Sequence, residues 1–291
     1  MLATPTLMNQ LTKPAPFGAL RPGRLDSLVL AVTTALPDTW LGLRLAILLR
    51  RLVTMRLSGR QPAALDVERW GLAMRLHPLD NGCEKNLLFT PKMYEPAELA
   101  ALEEAIKATR GRPFVFVDIG ANVGLFSLFV AANAGPDARI VAIEPEPGNM
   151  ARLTFNLAVN KTLPIRPLAL AVGEEDCEVA ISLNRRDRGG TRAHAVTATD
   201  AGDHVRVPCR LLLSVLREEG LTAIDALKID VEGMEDRVLA PFFRDAPPEL
   251  WPRLVLIEDS SHEWRTDLFK LLTEKGYIVS TRSKQNVVLR R

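Results

Sequence analysis

Residues 114–126, Phe-Val-Phe-Val-Asp-Ile-Gly-Ala-Asn-Val-Gly-Leu-Phe, constrain the fold more than any other part of the chain. Four consecutive apolar residues, two of them β-branched, read as a buried strand. Asp118 closes it, Gly120 and Gly124 bracket a tight turn, and Leu125 to Ala132 continues as an apolar helix. A strand, a glycine-bearing turn and a helix open a nucleotide-binding α/β unit. Glycine permits close approach of backbone to ligand, and the helix start presents free N–H groups. About twenty residues beyond the turn, a strand over 139–143 ends at Glu144, where a carboxylate can accept both hydroxyls of a ribose.

The spacing of the turn separates two cofactor classes. A dinucleotide fingerprint is Gly-x-Gly-x-x-Gly, whereas this turn is Asp-x-Gly-x-Asn-x-Gly, with Asn122 in place of the middle glycine. A side chain there obstructs a pyrophosphate, and Asp118 suits a cationic amine better than a diphosphate. S-adenosylmethionine has an amine, a carboxylate and a ribose but no phosphate. A turn that merely packs a helix on a strand would not call for Glu144 in register. Two alternatives stay open at this point: an NAD-dependent oxidoreductase, and a cofactor-binding module that has lost catalysis.

Three segments carry a family resemblance. Asp118 to Gly124, the run 142–147 (Ala-Ile-Glu-Pro-Glu-Pro) and the run 227–235 (Leu-Lys-Ile-Asp-Val-Glu-Gly-Met-Glu) resemble the FkbM-type methyltransferases in order and spacing. The resemblance extends from about Leu79 to the C-terminus. It implies an α/β, class I (Rossmann-like) fold with a mostly parallel seven-stranded sheet whose final strand is antiparallel. It also implies S-adenosylmethionine as cofactor and O-methylation of a sugar or polysaccharide precursor or a secondary metabolite. Cofactor contacts are then expected from Asp118, Gly120, Asn122, Gly124, Glu144, Pro145 and Asp230. Val172 begins the loop that meets adenine in this class. Tyr94 resembles the family's segment upstream of the first motif, although an aromatic before a helix also serves as a packing staple.

The carboxyl ends of the parallel strands would gather Asp118, Glu144, Asp230, Glu232, Glu258 and His262, a set of acids suited to a cationic cofactor. Methyl transfer to a hydroxyl requires removal of the acceptor proton. His262 has the intrinsic pKa of a base near neutrality, Glu232 is the stronger carboxylate candidate, and Asp230 more naturally faces the cofactor. Asp230, Glu232, Glu258 and Asp259 could hold a divalent ion, but nothing in their spacing requires one and no metal is expected. Arg186 and Arg188 lie in a run of four arginines around Gly189-Gly190. Such a run is ordinarily solvated surface, yet arginines also grip the anionic groups that the family's acceptors often carry.

The sequence divides into an arm and helical extension (1–62), a strand and helix lead-in (63–110) and the catalytic domain (111–291). Helices are expected over 25–36 and 39–57, the second capped by Asp38, a single alternating strand over 68–77, and a third core strand over 165–172. Between Arg21 and Arg60 seven arginines face two acids, Asp26 and Asp38. A leucine-rich basic helix can lie on an anionic membrane, but the arginines scatter around the helix, which favours a cap on the catalytic domain or a homodimer contact. Three widely spaced cysteines, Cys83, Cys177 and Cys209, and an N-terminus without a basic start and apolar core fit a cytoplasmic chain with reduced thiols. A net charge of +2 gives no reason to expect nucleic acid.

Overall fold

The structure is a computed structural model that describes residues 14–109, 111–182, 193–195, 204–283 and 285–291. Two helices come first, α1 (Arg24–Ala35) and α2 (Trp40–Leu57). Thr39, not Asp38, caps the second: its side chain accepts the Gly42 amide at 3.1 Å. The expected strand over 68–77 is instead a hairpin, β1 (Leu65–Arg69) and β2 (Leu72–Leu76). Trp70 and Gly71 take positive φ values of 52° and 74° and turn the chain between the strands. A helix not expected from the sequence, α3 (Gly82–Phe89), is capped by Asn81, and α4 (Pro96–Ala108) follows.

The β-α rhythm then begins with β3 (Val115–Ile119), α5 (Leu125–Ala134), β4 (Arg139–Ile143), α6 (Pro147–Ala158) and β5 (Ile165–Leu168). The expected strand to Val172 breaks after Leu168, and the chain starts a second sheet at β6 (Ala171–Gly173). That sheet continues through β7 (Cys177–Ser182), β8 (Ala193–Ala195) and β9 (His204–Leu211), in the order β6-β9-β7-β8. After α7 (Leu212–Glu218) come β10 (Ala226–Ile229), α8 (Glu235–Asp245), β11 (Leu254–Glu258), α9 (Leu268–Glu274), β12 (Ile278–Arg282) and β13 (Asn286–Arg290).

The main sheet has seven strands in the order β12-β13-β11-β10-β3-β4-β5. β3, β4, β5, β10 and β11 pair in parallel, and the last strand, β13, runs antiparallel to both of its neighbours. Alternate residues serve opposite faces. Phe116, Ile140, Ala226 and Leu254 join a core with α1 to α5, whereas Val117, Val141, Leu227 and Val255 join one with α7, α8 and α9. Burial on both faces is why these strands read as unbroken apolar runs.

The N-terminal segments are stitched onto the first of these cores. Arg75 donates to Asp66 at 2.7 and 3.0 Å and to the carbonyls of Ala15 and Pro16, while Asp66 also accepts the Gly18 and Leu20 amides. Burial would raise the Asp66 pKa, but the Arg75 and amide hydrogen bonds outweigh it and hold the carboxyl below its ordinary value.

Candidate active site

All the expected strand-end acids arrive at one edge because β3, β4, β10 and β11 are parallel neighbours. At that edge lies a cleft of ≈ 70 Å³ lined by Gly120, Asn122, Glu144, Pro145, Val172, Asp230 and Glu232, with Ile119, Ile143, Ile181 and Met234 among its apolar walls. A second, smaller cavity of ≈ 50 Å³ shares Gly120, Asn122 and Asp230 with it and adds Cys83, Tyr94, Glu95, Lys228 and Asn286. The second sheet contributes Ala171, Val172 and Ile181 as a wall of the larger cleft.

The turn after β3 is held from two sides. The Gly120 and Ala121 amides donate to the Ile143 carbonyl at 3.0 and 2.9 Å. Gly120 has φ 71°, and a Cβ there would stand 1.9 Å from the Asp230 carbonyl oxygen. The glycine is therefore demanded by the approach of the loop after β10 as well as by any ligand. Gly124 (φ 79°) packs against Leu153 at the start of α5 and lines neither cavity.

Asp118 does not line a cavity either. It is buried, and its Oδ2 accepts the Ser127 amide at 3.1 Å and the Ser127 hydroxyl at 2.6 Å, tying β3 to the first turn of α5. Its Oδ1 is buried without a hydrogen-bond partner. Burial raises its pKa, opposed by the Lys228 charge and the Ser127 bonds. Its position is behind the loop, where it orients α5 and adds negative potential to the second cavity.

Glu144 lines the cleft at the end of β4. The amides of Asn122 and Glu146 each donate to one of its oxygens at 2.8 Å, which fixes the carboxylate plane. Burial nevertheless pushes its pKa up to about 7. Pro145 and Val172 flank the same cleft.

The second cavity offers both signs of charge. Lys228 lies 3.1 Å from Asp230 and over the Phe126 ring, and the charges of Asp230 and Asp118 hold its pKa above the ordinary lysine value although burial alone would lower it. Glu95 accepts Asn286 Nδ2 at 2.7 Å across a separation of 191 residues in sequence. Tyr94 is buried beside Phe126, and burial, assisted by acids nearby, pushes the Cys83 thiol up to about 12. An apolar slot with the Glu144 carboxylate, joined to a chamber holding one acid, Asp230, and one cation, Lys228, fits the chemistry of S-adenosylmethionine, a nucleoside with a zwitterionic end.

Three non-glycine residues at the site, Glu95, Asn122 and Glu232, take positive φ values of 42°, 53° and 57°. Such strain persists only where the surroundings enforce it. For Glu232 the enforcement comes from Glu235, whose Oε1 accepts the Val231 and Gly233 amides at 2.9 and 3.2 Å while its Oε2 accepts Trp264 Nε1 at 2.7 Å. Glu258, at the end of β11, is pushed up to about 8 by burial and then by Asp230, Glu232 and Glu235. His262 lies on an exposed turn, its side chain 77% accessible and 3.5 Å from Glu263, outside both cavities. Arg186 and Arg188 lie outside the described residues. Among the described residues no group of three or more His, Cys, Asp or Glu is arranged to hold a metal ion.

Lys228, Cys83, Glu95 and Asn286 had no assigned role in the sequence reading. Lys228 left a signal, a charge inside the otherwise apolar strand 226–229. Asn286 left none, since only the fold brings it to Glu95.

The fold and this edge define a class I S-adenosylmethionine-dependent methyltransferase. The Methyltransferase FkbM domain profile matches residues 118–279, and the chain belongs to that family. It is 30% identical over 238 residues to Methyltransferase sdnD of Sordaria araneosa, covering 65% of this chain and 87% of that protein. It is also 30% identical over 179 residues to the 31-O-demethyl-FK506 methyltransferase FkbM of Streptomyces tacrolimicus, covering 51% of this chain and 65% of that one. AMB antimetabolite synthetase AmbE of Pseudomonas aeruginosa is 32% identical over 207 residues, 58% of this chain but 10% of the synthetase. The cofactor is S-adenosylmethionine, which sets the NAD reading aside.

Proposed function

We propose that the protein transfers a methyl group to a hydroxyl oxygen of a sugar or polysaccharide precursor or a secondary metabolite. The observation that carries this is the crowd of acids beside the cleft: burial, then the charges of Asp230, Glu232 and Glu235, raise the proton affinity of Glu258 close to where an alcohol must lose its proton. The relative from Streptomyces tacrolimicus, by its name, concerns an oxygen acceptor, which supports the same choice here.

When bound, S-adenosylmethionine supplies a methyl group already activated on a sulfonium. The protein's residues do the rest. Glu144 accepts ribose hydroxyls, Asp230 and Lys228 take the two charged ends of the methionine part, and the hydrophobic walls from β6 and β7 exclude water from the base. Glu232 removes the acceptor proton, held towards the cleft by the Glu235 clamp on its loop. Asp118 and Glu235 are positioning residues.

The test is turnover with isotopically labelled S-adenosylmethionine and a panel of sugars, polyols and hydroxylated polyketides, with products read by carbon NMR. A new methoxy resonance on a former hydroxyl carbon is expected. Methyl groups found only on carbon or nitrogen would overturn the reading.

A further inference from the structure

The face of α1 and α2 turned away from the body of the protein is apolar and basic at once. On α2, Leu41, Leu45, Leu48, Leu52 and Met55 fall within an arc of about 80° when successive residues are spaced by about 100°. They are exposed, Leu41 at 70% and Met55 at 73%. Leu25, Leu28 and Val32 make an exposed i, i+3, i+7 stripe on α1. The inner faces are already used, by Val29 and Leu30 of α1 and Val53 and Leu57 of α2, so the outer stripe is not needed for the core.

The charges around that stripe have one sign. Arg44 and Arg51 border the α2 arc, with Arg44 stacked over Trp40 at 4.9 Å. Arg51 also lines a flanking groove with Lys85 and with Arg50, which lies on the far side of α2 from the stripe, and among the described residues none of the three has an ion-pair partner. Burial and the neighbouring Arg51 charge lower the Arg50 pKa, as expected of cations without a carboxylate. Of the two acids between Arg21 and Arg60, Asp26 is buried against Arg56 at 2.6 Å, which leaves Asp38 in the turn. The arginines that looked scattered divide by role: Arg56 turns inward to Asp26, while Arg44 and Arg51 stay outside.

We propose that the α1–α2 hairpin docks the enzyme on an anionic lipid bilayer, its exposed leucines entering the interface and its unpaired cations meeting the headgroups. An apolar stripe edged by arginine and lysine is the composition that binds such a surface. A second copy of the chain is the poorer occupant, because a two-fold contact would bring the unpaired cations of one copy's face against the same face of the other, with almost no acid to meet them. Among the described residues no helix is long and apolar enough to cross a membrane, so the contact is peripheral. The hairpin is one helix away from the chemistry: on α3, Lys85 lines the basic groove and Cys83 lines the second cavity. An acceptor held at the membrane surface would thus be near the cleft.

The test is flotation of the full chain with vesicles of phosphatidylcholine alone and of phosphatidylcholine mixed with phosphatidylglycerol. Partition onto the anionic vesicles should be stronger by about tenfold or more and should weaken with added salt. The triple variant Leu41→Glu, Leu48→Glu, Met55→Glu should lose it, with calorimetric S-adenosylmethionine binding showing that the fold persists. The double variant Arg44→Glu, Arg51→Glu keeps the leucines and should lose the preference for anionic lipid. Equal partition onto both vesicles, or a triple variant that floats like wild type, overturns the proposal. So does a wild-type dimer in light scattering that the triple variant splits while neither floats, since a second copy then covers the face.

Discussion

The seven-stranded sheet and the α1–α2 hairpin draw on the same residue types, leucine, isoleucine, valine and alanine, and treat them differently. In the sheet, Val117, Ile119, Leu227 and Ile229 are fully enclosed by helices. In the hairpin, Leu57 and Val53 are enclosed but Leu48 and Leu52 face outward. Apolar content therefore marks the inside of the sheet and only half of the hairpin. The outer stripe is apolar surface that the core does not use, and the bilayer proposed above is what would cover it. The sheet edge makes the complementary choice: it collects acids and strained backbone where stability alone would place neither.

That contrast is sharpened most by removing a charge from the edge. Glu232→Gln should lower kcat by about 10²–10⁴-fold, the usual contribution of a general base, with little change in cofactor affinity. His262→Ala, on its exposed turn, should be mild. Near-normal turnover by Glu232→Gln in a folded protein would move the base to Glu258, whose own glutamine variant would then carry the loss.

Next in size is the lock that ties the N-terminal arm to the β1–β2 hairpin, outside both regions compared. Asp66→Ala leaves Arg75 buried without its carboxylate and should cost about 3–5 kcal/mol of stability in denaturant unfolding. The folded Asp66 pKa is lowered, so its contribution is complete at neutral pH and fades as pH falls through the carboxylate range. A loss below about 1 kcal/mol, the scale of an exposed pair, would mean the arm is held to the β1–β2 hairpin without this lock.

Glu144 gives an intermediate effect. Glu144→Ala should weaken S-adenosylmethionine binding by about 1–3 kcal/mol in calorimetry. In the free protein this carboxyl takes up a proton below about 7, and a cationic ligand favours the carboxylate. Binding must then release that proton, so wild-type affinity should be highest above pH 7 and fall as pH drops, by up to about tenfold per pH unit. Glu144→Gln should flatten the profile. A flat wild-type profile would show that the ribose pairs elsewhere.

The sheet was legible in the sequence because strands buried on both faces spell continuous apolar runs, and because glycines and acids punctuate their ends. The β1–β2 hairpin was less so: the alternation of Trp70, Leu72, Met74 and Leu76 continues through the turn and conceals it, and Gly71 was its one local sign. Glu144, Asn122, Asp230 and Glu232 were readable as residues gathered at one cleft since each follows a strand end. Asp118 was readable as important but not in its role, because a carboxylate ahead of a turn can face a ligand or cap the next helix. His262 follows the right strand end, but its loop carries it outward, and loop direction is not written in strand patterns. Asn286 and Cys83 reach the site through contacts distant in sequence, which no local signal records.

The smallest effect tests the hairpin's outer face directly. Leu48 is 59% exposed and Leu57 is 1% exposed, on the same helix. If burial within the chain were the purpose of both, both would cost stability when truncated. Leu57→Ala should lose about 2–5 kcal/mol, since it removes packed atoms and leaves a cavity. Leu48→Ser should change stability by no more than about 0.5 kcal/mol, the range for surface sites, and should leave kcat for a soluble acceptor unchanged. Its effect should appear only in partition onto anionic vesicles. A loss of about 2 kcal/mol at Leu48 would break the comparison, because that is the cost of a core leucine. The outer stripe would then be covered from within the protein, and the hairpin would belong with the sheet.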